Sequence, residues 1–314
     1  MIGFKLAGCG MALPEKVVTN DDMAKIVETS DEWISTRTGI KERRFCSGGE
    51  TVARLAVSAA KKAIANAGIG ADKIGLIIVA TCTPENSVPS TACIVEEALG
   101  IQTGVPAFDI NAACSGFLFA LKAAEGLMEG ADKERPYALL IGAERFSKIL
   151  DMTDRTTCVL FGDGAGACVV KKEKGKYFCK IGAKGEKEAL YTEIVDKDEH
   201  IKMDGKAIFR FAVKAIGDAL DLIEKETGVK AFDADHIVCH QANKRILDHV
   251  AKDRGIDPEK FFKNLEKTGN TSAASIPIAL ADMEEKGMLK PRKTLILAGF
   301  GAGLTWGSAL MECE

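Results

Sequence analysis

The sequence predicts an α/β protein of two pseudo-duplicated halves, each a mostly parallel, buried sheet packed between helices. Three pairs of matching segments carry that prediction. Ala71-Asp72-Lys73-Ile74-Gly75-Leu76-Ile77-Ile78-Val79 parallels Ala234-Asp235-His236-Ile237-Val238-Cys239-His240, each a charged turn running into a β-branched strand. A small-residue elbow at Cys114, with the apolar helix after it, parallels the Gly269-Asn270 turn and its helix. Phe161-Gly162-Asp163-Gly164-Ala165-Gly166 parallels Phe300-Gly301-Ala302-Gly303. Each half therefore reads strand, helix, strand, helix, strand. The halves span residues 1–172 and 173–314. The charged tract from Lys171 to His200 between them reads as a solvated hairpin and loop.

In chain order, the first segment with chemical content is Ala107-Phe108-Asp109-Ile110-Asn111-Ala112-Ala113-Cys114-Ser115-Gly116-Phe117. An apolar run ends in small residues, and the cysteine stands where the next apolar segment begins. Residues 117–128 lack proline, contain only Gly126 as glycine, and are apolar on all sides, which predicts a buried helix. A thiol at its first turn meets the positive end of the helix dipole and unpaired N–H groups. Those favour the thiolate and also suit an oxyanion forming beside the sulfur. A small core cysteine is the bland alternative.

Gly162-Asp163-Gly164-Ala165-Gly166 invites comparison with a dinucleotide loop, but Ala167-Cys168-Val169-Val170 after it reads as a strand rather than a helix. His240 falls at the end of a predicted strand, where catalytic groups of α/β proteins gather. His236 and His240 would lie about 13 Å apart along that strand, too far to share one metal ion. Gly269-Asn270-Thr271-Ser272-Ala273-Ala274-Ser275 is a turn feeding another small-residue helix start. A cysteine nucleophile needs a nitrogen base or oxyanion donor, and an amide is a common third member. Cys114, His240 and Asn270 meet that need.

With those segments the chain resembles the β-ketoacyl-[acyl-carrier-protein] synthase III family of the thiolase-like superfamily. The resemblance runs nearly end to end. It also takes in Thr29-Ser30-Asp31-Glu32-Trp33-Ile34, Arg37-Thr38-Gly39-Ile40, His240-Gln241-Ala242-Asn243 and Phe300-Gly301-Ala302-Gly303-Leu304-Thr305-Trp306. It implies a five-layered αβαβα fold and condensation of an acyl-coenzyme A primer with malonyl carrier protein, the initiating step of fatty acid synthesis. Cys114 would be acylated, and His240 and Asn270 would donate to the enolate oxygen. The backbone N–H groups of Cys114 and Ala302 would form the oxyanion hole, with alanine at a position where the family usually has glycine. Elongating synthases pair two histidines and thiolases add a second cysteine, so histidine with Asn270 favours the initiating enzyme. A related acyltransferase or condensing enzyme of secondary metabolism is the alternative, and a binding module with a degenerate site is a third reading.

The resemblance also assigns binding positions. From the residues alone, Trp33 reads as a core residue and Arg37 as a salt-bridge partner. In the family the matching positions, with Arg155, hold the nucleotide end of coenzyme A. Thr38, Phe161, Gly205, Phe209, Ala242, Asn243, Phe300 and Gly301 are implied along the same substrate path. Val88, in Pro84-Glu85-Asn86-Ser87-Val88-Pro89, matches a loop that reaches across a homodimer to close the acyl pocket. Gln241, Ala242, Asn243, Lys244, Arg245, Arg210 and Lys252, with Arg254 nearby, are implied as the docking patch for an acidic acyl-carrier protein.

Composition sets the outer bounds. At 314 residues with 46% hydrophobic and 28% charged residues, the chain reads as an ordinary soluble globular protein with a substantial core. Forty-two basic against 45 acidic residues argue against a nucleic-acid binder. The N-terminus lacks a signal-peptide pattern, and no apolar run reaches the roughly 18 residues of a membrane span. Ten cysteines without such a signal predict reduced thiols in the cytoplasm, and no Cys-x-x-Cys pair is present. No metal or redox cofactor is expected.

Overall fold

The computed structural model describes residues 2–101, 104–129, 133–195 and 198–314. A long strand, β1 (Ile2–Ala12), opens the chain. A small arm follows, in which β2 (Val17–Thr19) and β3 (Glu42–Arg44) pair around α1 (Asn20–Ala24) and α2 (Asp31–Thr38). Thr19 and Asp22 form a reciprocal capping box on α1, and Ser30 caps α2 by accepting from the Trp33 N–H. The first half continues as α3 (Val52–Asn66), β4 (Ile74–Ala80), α4 (Thr91–Leu99), β5 (Ala107–Ile110), α5 (Gly116–Leu127), β6 (Tyr137–Glu144) and β7 (Gly164–Lys174). The second comprises β8 (Phe178–Ala183), the hairpin β9 (Leu190–Val195) and β10 (Asp198–Met203), then α6 (Gly205–Thr227), β11 (His236–Cys239) and α7 (Lys244–Arg254). It ends with α8 (Leu265–Thr268), α9 (Ser275–Glu285), β12 (Thr294–Gly301) and β13 (Thr305–Cys313).

The strands run β11-β12-β13-β1-β7-β6-β4-β5, with β8 also on β13. Where the halves meet, β1 and β13 pair in parallel over only Lys5↔Glu312 and Leu6↔Cys313. On either side the pairing repeats. Strand β4 is parallel to β6 as β11 is to β12, and β6 is antiparallel to β7 as β12 is to β13. Strand β1 is antiparallel to β7 as β8 is to β13. The expected predominance of parallel strands is thus corrected: apart from the two-residue contact of β1 with β13, parallel pairing lies at the outer strands β11-β12 and β6-β4-β5, and long antiparallel ladders fill the middle. The tract from Lys171 to His200 is also more than a solvated hairpin. Its Phe178–Ala183 stretch is β8, which completes the second half's ladder with Tyr177 and Cys179 buried.

Strand faces alternate between different cores, as a period of two requires. Leu76 and Ile78 of β4, Leu140 of β6, and Leu295 and Leu297 of β12 face the central layer. There they meet Phe117, Leu118 and Leu121 of α5 and Ile276, Ala279 and Leu280 of α9. Ile77, Val79, Leu139 and Ile141 face outward onto Ala56, Ala59, Ala60 and Ala63 of α3. Ile237, Ile296 and Ala298 face the opposite way, onto Ile208, Ala212 and Ile216 of α6 and Ile246 and Val250 of α7. The result is five layers, helix–sheet–helix–sheet–helix. Burial on both sides explains why these strands read as unbroken apolar runs, each buried Leu or Ile contributing about 1.5–3 kcal/mol. Helices α5 and α9 are packed between both halves, and Cys114 and Asn270 stand at the turns that lead into them.

Candidate active site

A 3-10 turn, Ala113–Ser115, leads into α5 and carries Cys114. Ala113 has φ 48°, a left-handed conformation uncommon for a residue with a Cβ. The Asn111 Oδ1 accepts the Ala113 N–H at 3.1 Å and so steadies the turn. Strand β12 approaches through Gly301, where a Cβ would lie 2.8 Å from the Cys114 nitrogen, so only glycine fits. His240 follows β11 directly, its N–H donating to the Ala298 carbonyl at 2.8 Å. Asn270 sits beyond α8, tied to the Leu160–Gly162 segment by backbone bonds of 2.9 and 3.0 Å. Its Oδ1 accepts the Ser272 N–H at 2.9 Å, which leaves the amide NH₂ as the donor.

Cys114, His240 and Asn270 line one cavity of about 210 Å³. Phe161, Gly205, Phe209, Ala242, Asn243, Phe300 and Gly301 line it too, seven of the positions the resemblance implied. Thr156, Leu160, Leu190, Met203, Ile208 and Ile246 complete the wall, and sequence reading missed them. Five of the six are ordinary apolar residues, among them Leu190 of β9, Met203 of β10, Ile208 of α6 and Ile246 of α7, with no local signature. Phe300 lays its edge against the imidazole of His240, with centroids 5.1 Å apart.

Burial governs the electrostatics. It drives His240 down to about 3, and the Nδ1 has no hydrogen-bond partner among the described residues. The imidazole is therefore neutral and a poor base, and its use is as a hydrogen-bond donor. The thiol corrects an expectation. Burial pushes Cys114 up to about 12, outweighing the Ser272 hydroxyl, which favours the thiolate; the Glu144 carboxylate adds to the rise. At rest, burial outweighs the groups that favour the thiolate.

The remaining assigned positions divide. Trp33 is clasped on its ring by the Arg37 guanidinium at 4.5 Å and by Arg155 at 4.7 Å. Arg155 also donates to the Glu28 carbonyl at 2.7 Å. Thr38 is buried and its hydroxyl donates to the Ile34 carbonyl at 2.7 Å, so it closes the end of α2 rather than facing the cavity. Ala302 does not line the cavity, and its carbonyl accepts from the Thr305 hydroxyl at 2.9 Å. The positive φ in this turn falls on Gly303 (131°), so the alanine sits without backbone strain. Val88 is 83% exposed, away from the cavity.

Gln241 requires a correction. It is fully buried, donating to the Cys239 and Phe262 carbonyls at 2.9 and 3.1 Å and accepting from the Asn264 N–H, so it is not surface for a partner. Asn243 caps α7 with its Oδ1 and donates from Nδ2 to the Arg37 carbonyl at 3.0 Å, joining α7 to α2. Lys244 is paired with Asp248, and Arg254 is held by Asp221, which removes Arg254 from the free patch. Arg210, Arg245 and Lys252 are exposed and without an ion pair among the described residues. Among those residues no cluster of His, Cys, Asp or Glu could hold a metal ion, and no helix is long and apolar enough to cross a membrane.

Two profiles of known families match the chain. One, described as 3-oxoacyl-[acyl-carrier-protein] synthase III, matches residues 108–185, and its C-terminal counterpart matches residues 225–313. A β-ketoacyl-[acyl-carrier-protein] synthase III from Clostridium novyi is 45% identical over 326 aligned positions, covering 99% of each chain. The crystal structure of the 3-oxoacyl-[acyl-carrier-protein] synthase III from Aquifex aeolicus superposes with a TM-score of 0.91 at 43% identity, covering 98% of this chain and 99% of that one. The priming β-ketosynthase of the R1128 polyketide pathway superposes with a TM-score of 0.91 at 31% identity, covering 99% of this chain and 97% of that one.

Proposed function

The chain belongs to the 3-oxoacyl-[acyl-carrier-protein] synthase III family, condensing acyltransferases that initiate fatty acid synthesis, and from that premise we propose how its residues divide the reaction. Cys114 attacks the carbonyl of an acyl-coenzyme A and keeps the acyl group as a thioester while coenzyme A leaves. Malonyl carrier protein then enters. His240 and the Asn270 amide donate to its thioester carbonyl, so loss of carbon dioxide leaves a stabilised enolate. The enolate attacks acyl-Cys114 and departs as 3-oxoacyl carrier protein. The observation that carries this reading is the shared cavity: a thiol, a neutral imidazole and an amide held NH₂-first open onto one apolar space. The N–H groups of Cys114 and Ala302 are proposed to hold the oxyanion of acylation.

The nucleotide end of coenzyme A is assigned to Trp33 with Arg37 and Arg155. Both guanidiniums lie over the ring, so a purine stacking there displaces one of them, freeing it for phosphate. The acidic carrier protein is assigned to Arg245, Lys252 and Arg210, the free cations of the patch, with Lys244 beside them. Val88, exposed on its loop, fits the role of a residue that meets a second subunit of a homodimer. We read residues 1–172 and 173–314 as the duplicated halves, a division that falls two residues before β7 ends at Lys174 and ahead of β8, which begins at Phe178. The likeness to a polyketide priming synthase supports a second reading, priming for secondary metabolism. Comparing acetyl-, isobutyryl- and octanoyl-coenzyme A as primers separates the two.

The test is direct. Incubation with acetyl-coenzyme A followed by intact-protein mass spectrometry is expected to show one acetyl adduct, absent in Cys114→Ser. An adduct that persists in the variant, on another of the ten cysteines, would overturn the assignment. Arg245→Glu is expected to raise the KM for malonyl carrier protein while sparing acylation, and rising salt should mimic it in the parent.

A further inference from the structure

A second cavity, of about 490 Å³ against about 210 Å³ around Cys114, lies between α6, the end of β8 and the start of β13. That size falls within the roughly 300–1,000 Å³ of small-molecule sites. The two cavities share no lining residue, and the condensation gives the second no role. Helix α6 serves both. Ile208 and Phe209 face the first, while Ala207, Phe211, Lys214 and Asp218, at steps of four, three and four residues, form the stripe that faces the second. The floor is aromatic and fixed in place. Trp306 pairs across the sheet with Gly182, where the indole lies so close that a Cβ would meet it at 2.6 Å. Phe211 stands edge-on to that indole with centroids 6.2 Å apart, and Phe300 backs it at 6.4 Å. The Lys184 and Glu186 N–H groups donate to the Leu304 and Gly303 carbonyls at 2.8 and 2.7 Å, which ties the loop wall to the turn before β13.

Charge decides what fits. Five charged side chains line the cavity, and four of them cancel, Lys184 pairing with Glu186 and Lys214 with Asp218. Arg210 is left over, without an ion pair among the described residues. Asp204, whose carboxylate feels the Arg210 charge, is occupied in capping α6 through the Lys206 and Ala207 N–H groups. The planar fork of a guanidinium matches a carboxylate, and the apolar floor matches a hydrocarbon tail. A phosphate dianion would find one free cation for two charges, and an uncharged molecule would leave the arginine unanswered.

We propose that this cavity binds a monocarboxylate with an apolar tail, its carboxylate on Arg210 and its tail against Trp306, Phe211 and Leu304. A consequence for the reaction follows, and it rests on the assignment of Arg210 to carrier-protein docking. A carboxylate seated on Arg210 neutralises one cation of that patch, so an acidic partner is steered to it less well. Acylation from coenzyme A uses the other cavity and is untouched. The ligand therefore slows the carrier-protein step alone.

Decanoate is the probe, read by tryptophan fluorescence. The chain has two tryptophans, so Trp33→Phe leaves Trp306 as the sole emitter. Decanoate is expected to change that emission saturably. It should bind at least about tenfold more tightly than decanol, which has the tail without the charge, or acetate, which has the charge without the tail. In the same background, Arg210→Gln should bring decanoate down to the level of decanol. Ala207→Phe, which fills the cavity and keeps the arginine, should abolish the response. Arg210 is on the surface, so Arg210→Gln keeps the test open if Ala207→Phe folds poorly. A response that does not saturate, that decanol matches, or that either folded variant leaves intact would overturn the proposal. In the parent, saturating decanoate is expected to raise the KM for malonyl carrier protein severalfold while acyl adduct formation from acetyl-coenzyme A keeps its rate. Saturable binding that both variants lose, with that KM unchanged, would uphold the cavity and overturn instead the placing of Arg210 in the docking patch.

Discussion

The two helix entrances at the centre of the molecule are built alike and used differently. In the first, Asn111 accepts the Ala113 N–H, Ala113 takes φ 48°, and the turn Ala113–Ser115 opens α5. In the second, Asn270 accepts the Ser272 N–H, Ser272 takes φ 50°, and the turn Ser272–Ala274 opens α9. A glycine of the matching strand lets each turn approach, Gly301 of β12 for the first and Gly142 of β6 for the second. The register then exchanges the chemistry. Where one turn presents Cys114, the other has Ala273; where one has an exposed asparagine, the other has Asn270 buried against the cavity. One backbone device thus positions the proposed nucleophile in one half and the proposed oxyanion donor in the other, which suits a reaction with two separable steps.

Adding a methyl group to each glycine gives the largest expected effects. At Gly142 a Cβ would run into the carbonyl and Cα atoms of Ala273 and Ala274, all of them backbone. Gly142→Ala is expected to destabilise beyond the usual ~1–3 kcal/mol of overpacking, seen as a large fall in Tm. At Gly301 the nearest atoms are 2.8 Å (nitrogen) and 3.0 Å (Cβ) away, both of Cys114. Gly301→Ala is expected to lose less stability but nearly all acyl transfer. Equal losses of both in the two variants would show that the entrances are not specialised.

The second half also carries a pH signature. Burial lowers His240 from 6.5 to about 3, so below pH 6.5 the unfolded chain binds a proton that the native one refuses. Stability should therefore fall as pH drops from 6.5 toward 3, by up to about 1.4 kcal/mol per pH unit from this group. His240→Gln shares every carboxylate with the parent, so the difference in urea midpoints between them isolates the histidine. Parallel curves would mean that the ring is protonated or solvated in the native state. Asn111→Ala is the mildest change: loss of one exposed turn bond should cost roughly 0.5–1.5 kcal/mol and leave decarboxylation within a few-fold of the parent.

The repeat was legible because buried strands and small-residue turns leave marks in local sequence. Cys114, His240 and Asn270 stood at strand ends and helix starts, where an unmatched polar residue is conspicuous. Three things were less legible. The antiparallel centre of the sheet depends on which long strands meet, and composition does not encode that. Gln241 sits in a conspicuous motif, yet its amide is consumed by the Cys239 and Phe262 carbonyls, a fate set by tertiary packing. The thiol's resting state depends on burial and on Glu144, a carboxylate distant in sequence at the end of an apolar strand. A charged residue closing such a strand is itself a readable sign.

The division of labour is tested most directly by measuring the two half-reactions separately in His240→Ala and Asn270→Ala. Acyl adduct formation from acetyl-coenzyme A should stay close to the parent. Release of carbon dioxide from malonyl carrier protein should fall by on the order of 10²–10³, the usual cost of one lost oxyanion donor. Normal decarboxylation with failed acylation in both variants would contradict the account, and would place the imidazole and the amide at the thiol instead of the enolate.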